Sequence, residues 1–392
     1  MHVITVLLIA AAWLPLCVAG YLLLLTLLWR RPAAVAPATS ARMVVVVPAH
    51  DEADGIEVTV RSLLAMAYPP ERRRVIVIAD NCSDRTAEIA AAAGAEVLLR
   101  HDQALRGKGY ALKFAIDRLL GDASWDALVV VDADSVVTPN LLAALSAKLE
   151  SGAAQALYLP RAGGGSGVGV LTEVAFVAIH LVRSAARERL GLSCGLRGNG
   201  MAFSREVLER VPHLAFSKTE DLEFGILLGL EGIRVAFAAD AVVRGDMPEH
   251  RVAVARQRER WIGGRVGAAR RYLPALLRGA MSRRSLMLAD LAADVMTPPL
   301  SLLLAAIALG VVLSTGWAIV ADARPLAVWA AAAVALTTHV GVAARLSGTG
   351  RDLLKAVRVL PAYVGRKCAI ALRALVVTDE RWIRTPRRGE LS

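Results

Sequence analysis

The sequence predicts an α/β fold in which a mostly parallel sheet domain is joined to transmembrane helices and to amphipathic helices at a membrane interface. Three observations carry this. Short apolar runs ending in acids alternate with helix-period segments between Met43 and Asp132. Uncharged stretches long enough to cross a hydrocarbon layer lie near the start of the chain and in its last third. Arginine-rich amphipathic segments flank the later stretches. With 392 residues, 56% of them hydrophobic, and a mean hydropathy of +0.49, the chain can build one catalytic-size core and still supply spans.

From Ile4 to Leu28 no side chain is charged, which exceeds the roughly 20 residues needed to cross about 30 Å of hydrocarbon. The stretch lacks a basic start and outruns the roughly 7–15-residue apolar core of a cleaved signal, so residues 1–30 are expected to hold a retained helix. Arg31 to Arg42 reads as a Pro/Ala linker. Then Met43 to Pro48 reads as a buried strand that stops at proline, Ile56 to Met66 as a helix, and Val75 to Asp80 as a second strand ending in a carboxylate. Asp84 to Gly94 is an alanine-rich helix, Glu96 to Leu99 a third strand, Gly109 to Leu120 a helix and Ala127 to Asp132 a fourth strand. Continuous apolar strands covered by helices imply a parallel sheet, whose ligands bind at the carboxyl ends of the strands. Asp80 and Asp132 therefore mark one edge.

The region to about residue 245 continues less regularly, with a Gly-rich stretch from Gly163 to Gly169, a helix from about Leu171 to Leu190, and Arg197-Gly198-Asn199-Gly200 leading to Phe203. Residues 246–285 are expected to form interfacial amphipathic helices. Val295 to Val320 and Leu326 to Leu346 read as a membrane hairpin over residues 295–346, with Asp322 and Arg324 in its loop; residues 350–392 follow with an interfacial helix from Asp352 to Val377. Arg30 and Arg31 end the first span, Arg283 and Arg284 precede the second, and Arg351, Lys355, Arg358 and Arg366 follow the third. The positive-inside tendency then predicts an integral membrane protein of a bacterial inner membrane with its soluble domain in the cytoplasm.

The net charge of +11 falls largely beside the membrane segments, and aromatics are only 5% without a stacking pattern. This excludes nucleic acid as the expected partner and favours anionic lipid headgroups. Cys17, Cys82, Cys194 and Cys368 are scattered singly, and no His cluster of the HExxH type occurs. Neither a disulfide framework nor a protein-ligated zinc site is expected.

Asp132-Ala133-Asp134 directly after a buried strand offers two carboxylates that can hold a hard divalent cation against a diphosphate. An isolated pair of this kind more often caps a turn. Here it is accompanied by Asp80, able to accept from a base or ribose, and by Lys108 in Arg106-Gly107-Lys108-Gly109, able to meet phosphate. For Asp84 a helix N-cap is an equal alternative. Thr219-Glu220-Asp221 alone reads as a helix start, and Gln257-Arg258-Glu259-Arg260-Trp261 alone as an interfacial helix.

Taken in order, Val47 to Glu52, Asp80 to Asp84, the Asp132–Asp134 pair, Thr219-Glu220-Asp221 and Gln257 to Trp261 resemble the motifs of membrane-bound family 2 glycosyltransferases. These have the Rossmann-like GT-A fold and include the cellulose, chitin and hyaluronan synthases. The resemblance covers roughly Met43 to Arg271. It implies an inverting, metal-dependent hexosyltransferase that moves a sugar from a nucleotide-diphosphate donor, UDP-linked by expectation, to a glycan or lipid-linked acceptor through a β-bond. Asp221 would be the catalytic base. Pro48, His50, Glu52, Asp80, Lys108 and Asp132 would grip the donor together with Gln257, Arg260 and Trp261. Asp132 and Asp134 would hold Mg2+ or Mn2+. Gly198, Asn199, Gly200, Glu220 and Trp261 would face the acceptor. Trp382, Thr385 and Arg387 resemble a gating loop over the nucleotide, with a plain basic tail as the alternative. Transfer of a single sugar to a polyprenyl phosphate or other lipid is the rival activity. A catalytically silent membrane scaffold and a nucleotidyl transferase are rivals of other classes. Three spans are fewer than a self-contained polymer channel needs, so an oligomer or partner subunit is expected for any export.

Overall fold

The computed structural model describes residues 2–30, 38–161, 166–247 and 251–376. The chain opens with helix α1 (His2–Leu28). It then alternates β1 (Met43–Ala49), α2 (Ile56–Leu64), β2 (Arg73–Asp80), α3 (Thr86–Ala92), β3 (Glu96–Arg100), α4 (Lys108–Leu120) and β4 (Ala127–Val130). Next come β5 (Ser135–Val137), α5 (Leu141–Ser146), β6 (Ala153–Pro160), α6 (Gly167–Phe176), a π-helical segment (Val177–Arg183) and α7 (Ser184–Arg189). β7 (Met201–Ser204), α8 (Arg205–Arg210), α9 (Glu220–Leu230) and β8 (Val235–Gly245) complete the sheet domain. Helices α10 (Arg251–Ser282), α11 (Leu286–Met296), α12 (Leu300–Val320), α13 (Arg324–Leu346) and α14 (Leu353–Val376) follow.

Among the described residues one eight-stranded sheet runs in the order β3-β2-β1-β4-β7-β6-β8-β5. The first four strands are parallel, β6 and β8 are parallel, and β7 and β5 run against their neighbours. In β1 the unbroken apolar run is buried on both faces: Val44 and Val46 belong to one core cluster and Val45 and Val47 to the other. Pro48 is tolerated in this central strand because the β4 ladder stops at Val130 opposite Val46, leaving the missing N–H without a duty.

Among the described residues four helices are long and apolar enough to cross a membrane, α1, the continuous Gly167–Arg189 unit, α12 and α13, where the sequence reading counted three. Helices α1, α12 and α13 share a core in which Trp329 fills the notch left by Gly310, and its indole donates to the Leu8 carbonyl (3.1 Å). Their other faces expose Leu7, Leu14, Leu309, Val312 and Val334, as a lipid-facing surface requires. The Gly167–Arg189 helix is different. Val170, Val174, Phe176 and Val182 pack into the core that covers one face of the sheet, and Arg183 and Arg187 are buried. Hydropathy alone cannot distinguish such a core helix from a span.

Candidate active site

At the end of β1 and β2 the chain turns sharply, with Asp51 and Asn81 both at φ 52°. His50 Nδ1 donates to the Asp80 carbonyl (2.6 Å), and the Asp51 carboxylate accepts from the Ser83 amide (2.6 Å). The Glu52 amide donates to Thr86 Oγ1 (2.8 Å). Asp84 accepts from the amides of Thr86 (2.9 Å) and Ala53 (3.0 Å) and so ties the start of α3 to the 52–53 turn, but the helix N-cap itself falls on Arg85, one residue later. Asp80 is buried, and its Oδ1 accepts from Arg100 Nη1 (2.6 Å) and Asn81 Nδ2 (3.0 Å). Burial raises the Asp80 carboxyl, and Arg100 works against that rise. Arg100 was missed in the sequence, although it falls opposite Asp80 in the β2–β3 register.

Lys108, the first residue of α4, joins three segments. Its Nζ lies 2.5 Å from Asp132 Oδ1, donates to the Gly198 carbonyl and sits 3.7 Å from Glu220 Oε1. The predicted phosphate-binding lysine is thus the internal counter-ion of the site. Burial raises the Asp132 carboxyl and the nearby Asp134 charge adds to it, with Lys108 opposing both. Burial likewise pushes Glu220 up to about 7, opposed by Lys108. Two oxygen donors one residue apart, one of them destabilised by the other's charge, suit a hard divalent cation.

The 197–200 loop is fastened from beneath. Gln155, buried in β6 and missed in the sequence, accepts from the Arg197 amide (2.8 Å) and donates to the Asn199 carbonyl (2.7 Å). Asn199 is fully buried; its side chain accepts from the Asp132 amide (3.1 Å) and donates to Ser135 Oγ (2.8 Å). This residue, expected at the acceptor, instead clamps the Asp132–Asp134 loop with its side chain. Gly198 has φ +81°, and a Cβ there would stand 3.2 Å from Asp221 Oδ2. Gly200 has φ +71°, and its Cβ would meet Val243 Cγ2 at 2.8 Å. Both positions require glycine for conformation and for space.

Asp221 is the second residue of α9, whose first turn also carries Glu220 and Glu223. Gly264 of α10 packs directly on Thr219, and Gln257, Arg260 and Trp261 lie within the two turns of α10 that precede it. Thr219 itself makes no side-chain cap. The Arg260 guanidinium acts on Glu220 to lower its carboxyl. The Arg258 guanidinium lies 4.9 Å from the centre of the Trp261 ring, and Phe176 meets that ring edge-on at 6.3 Å. Glu223, also missed, accepts from Tyr272 (2.5 Å) and pairs with Arg271 (3.1 Å), locking α9 to α10. Trp382, Thr385 and Arg387 lie outside the described residues.

A family model described as glycosyltransferase-like family 2 matches residues 41–264. The chain is 37% identical over 129 residues to glycosyltransferase AglD of Haloferax volcanii, covering 31% of this chain and 20% of that protein. It is 28% identical over 226 residues to the beta-monoglucosyldiacylglycerol synthase of Synechocystis, covering 56% of this chain and 46% of that protein. The chain thus spans about half or less of the length of these curated relatives. The mannosyltransferase PcManGT of Pyrobaculum calidifontis, solved in complex with GDP-Man and Mn2+, matches with a TM-score of 0.58 over 96% of this chain and 99% of that one; at 20% identity the likeness is one of fold. The family match extends from just before β1 to Gly264 of α10 and takes in every motif of the site up to Trp261, so the chain belongs to the family 2 glycosyltransferases.

Proposed function

We propose that this chain transfers a sugar from a nucleoside diphosphate donor, UDP-linked by preference, to a glycan or lipid-linked acceptor at the cytoplasmic face of a membrane, with inversion to a β-bond. The observation that carries the reading is that Lys108 gathers the Asp132 loop, the Gly198 loop and the Glu220–Asp221 turn into one cluster. Asp221 Oδ2 lies against Gly198, where the missing side chain leaves room for an acceptor hydroxyl. Its carboxylate takes the hydroxyl proton while the oxygen bonds to the anomeric carbon. The bond from that carbon to the phosphate oxygen breaks, and its electron pair leaves on the nucleoside diphosphate. Mg2+ or Mn2+ held by Asp132 and Asp134 would supply neutralising charge on the diphosphate. Arg260 and Lys108 add fixed positive charge near that group, and Trp261 offers an aromatic face to a sugar ring. His50, Glu52 and Asp80 line the nucleotide side. Arginines beside the spans favour contact with anionic lipid, and any export would call on a partner subunit or oligomer.

Single-sugar transfer to a lipid is the second reading. It is supported by the direct joining of the sheet domain to α1, where Arg187 bonds Tyr21 (2.6 Å), and by the relative named as a monoglucosyldiacylglycerol synthase. The test uses the full chain in detergent with Mg2+ or Mn2+, a panel of nucleotide sugars and membrane lipid extract, scoring released nucleoside diphosphate. Release by wild type and its loss in Asp221→Asn is the expected result. Release that survives the substitution overturns the role of Asp221, and no release from wild type across the panel overturns the transferase reading in favour of a silent scaffold.

A further inference from the structure

Behind the acceptor loop lies a buried ionic cluster that the catalytic reading does not use. Asp290 and Asp294 stand one turn apart on α11 and face Arg187 of α7, whose Nε meets Asp290 Oδ2 at 2.8 Å and whose Nη2 meets Asp294 Oδ1 at 2.9 Å. Tyr21 of α1 bridges the same pair, donating to Asp290 Oδ1 (2.7 Å) and accepting from Arg187 (2.6 Å). The two aspartates differ in what else they hold. Asp294 alone receives Arg197 of the acceptor loop (3.7 Å) and, through its backbone carbonyl, Arg265 of α10 (2.5 Å), while Arg183 stands 3.8 Å away. These are not surface pairs: side-chain exposure is 6% at Asp294, 1% at Arg187 and 7% at Arg197.

Arg197 immediately precedes Gly198, the residue against which Asp221 rests, and Arg265 immediately follows Gly264, the residue that packs on Thr219. The same carboxylate group and backbone thus reach both walls of the acceptor side. We propose that Asp294 is a positioning residue that ties the 197–200 loop and helix α10 to the membrane-side helices, and so sets where Asp221 stands relative to the acceptor; this rests on Asp221 acting as the base. The cluster holds four guanidinium groups against two carboxylates, so neutralising Asp294 leaves the arginines mutually repelling in a place without water to screen them. Burial disfavours the ionised carboxyl, yet Arg187, Arg197, Arg265 and Arg183 together keep it well below the usual carboxylate range.

Asp290 provides the internal control, because it shares Arg187 with Asp294 but is tied to Tyr21 rather than to Arg197 or Arg265. The experiment compares Asp294→Asn, Asp290→Asn and Arg197→Gln in the full chain by amide hydrogen exchange over residues 193–201, alongside turnover. The loop has protection to lose, since the amides of Arg197 and Gly200 are bonded to Gln155 (2.8 Å) and to the Val130 carbonyl (2.9 Å). The expected result is exchange at least severalfold faster in that segment for Asp294→Asn and Arg197→Gln, with turnover at least tenfold lower and donor KM within twofold of wild type. Asp290→Asn leaves the segment and the turnover near wild type. Equal effects of the two aspartate changes, or loop exchange at the wild-type rate, overturn the proposal. Should Asp294→Asn fail to fold, Arg197→Gln decides through residues 198–201 and turnover, because it leaves the Arg187 pairs with both aspartates intact while its loss of the bond to the Cys194 carbonyl (2.9 Å) acts on the first part of the segment. Exchange reads loop position without turnover, so a failure of the transferase reading is separable from a failure of this one.

Discussion

Gly198→Ala isolates the contact between the 197–200 loop and Asp221. The position has φ +81°, and forcing an alanine into this left-handed conformation costs about 1–2 kcal/mol of stability. The new methyl would also stand 3.2 Å from Asp221 Oδ2, close enough that the carboxylate must give by a few tenths of an ångström. If a misplacement of about 1 Å costs on the order of 100-fold in rate, this shift lowers turnover roughly three- to tenfold. Gly191→Ala separates the two effects. It has φ +68° and no atom within 4 Å of the built Cβ, so it carries the backbone strain without the collision. Thermal denaturation in detergent should give similar losses for the two variants, whereas nucleoside diphosphate release per folded molecule should fall only for Gly198→Ala. Equal release by both variants would refute the argument that Gly198 is small in order to seat Asp221.

Three further outcomes follow from the charges of the site. The Glu220 carboxyl stands at about 7 in the folded chain against 4.5 in its ordinary state. The folded state therefore binds more protons between these values, and stability falls as pH rises through that window, by up to about 3 kcal/mol. Glu220→Gln removes the penalty, so the variant's denaturation midpoint should exceed that of wild type at pH 8 and not at pH 5; the same difference at both pH values would contradict it. Removal of divalent cations with a chelator should abolish nucleotide release, and Mg2+ or Mn2+ should restore it. Asp134→Asn should raise the metal concentration for half-maximal release at least tenfold, and release indifferent to chelation would exclude a metal at the Asp132–Asp134 pair.

The first half of the sheet was legible because its signals are local. Met43 to Pro48 and Val75 to Asp80 are unbroken apolar runs of β-branched residues, and the observed strands, Met43–Ala49 and Arg73–Asp80, differ by a few residues at most. β6 and β8 carried no such signal. β6 reads Ala-Ala-Gln-Ala-Leu-Tyr-Leu-Pro, and alanine has little strand preference, so burial between β7 and β8 makes the strand. The site divides the same way. Asp132, Asp134, Asp221, Arg260 and Trp261 were singled out by the order of their motifs and the family resemblance that order carries, whereas Gln155 matters only because the fold brings it beneath residues 197–199, more than forty positions away. Arg187 is harder still: inside an apolar helix it suggests a surface position, and its partners Asp290 and Asp294 lie over a hundred residues downstream.

Those long-range pairs change how the sheet domain and the membrane helices relate. A boundary near residue 245 looks natural on the sequence, since the last strand ends at Gly245 and the arginine-rich helix begins at Arg251. Yet the helix covering one face of the sheet carries Arg183 and Arg187, both buried, and their counter-charges are supplied by α11, beyond that boundary. Cutting there would leave two guanidinium groups in a low-dielectric interior without carboxylates, a loss of the order of 3–5 kcal/mol for each broken buried pair. The same cut would remove Gly264 from Thr219, and Tyr272 from Glu223, and with them the contacts that seat α9 and its acids. By this accounting the smallest unit able to hold Asp221 in place extends at least through α11. Helix α1, which packs with α12 and α13, is joined to this unit through the Tyr21 bridge to Arg187 and Asp290, so the seat of Asp221 and the long apolar helices are held by one set of contacts.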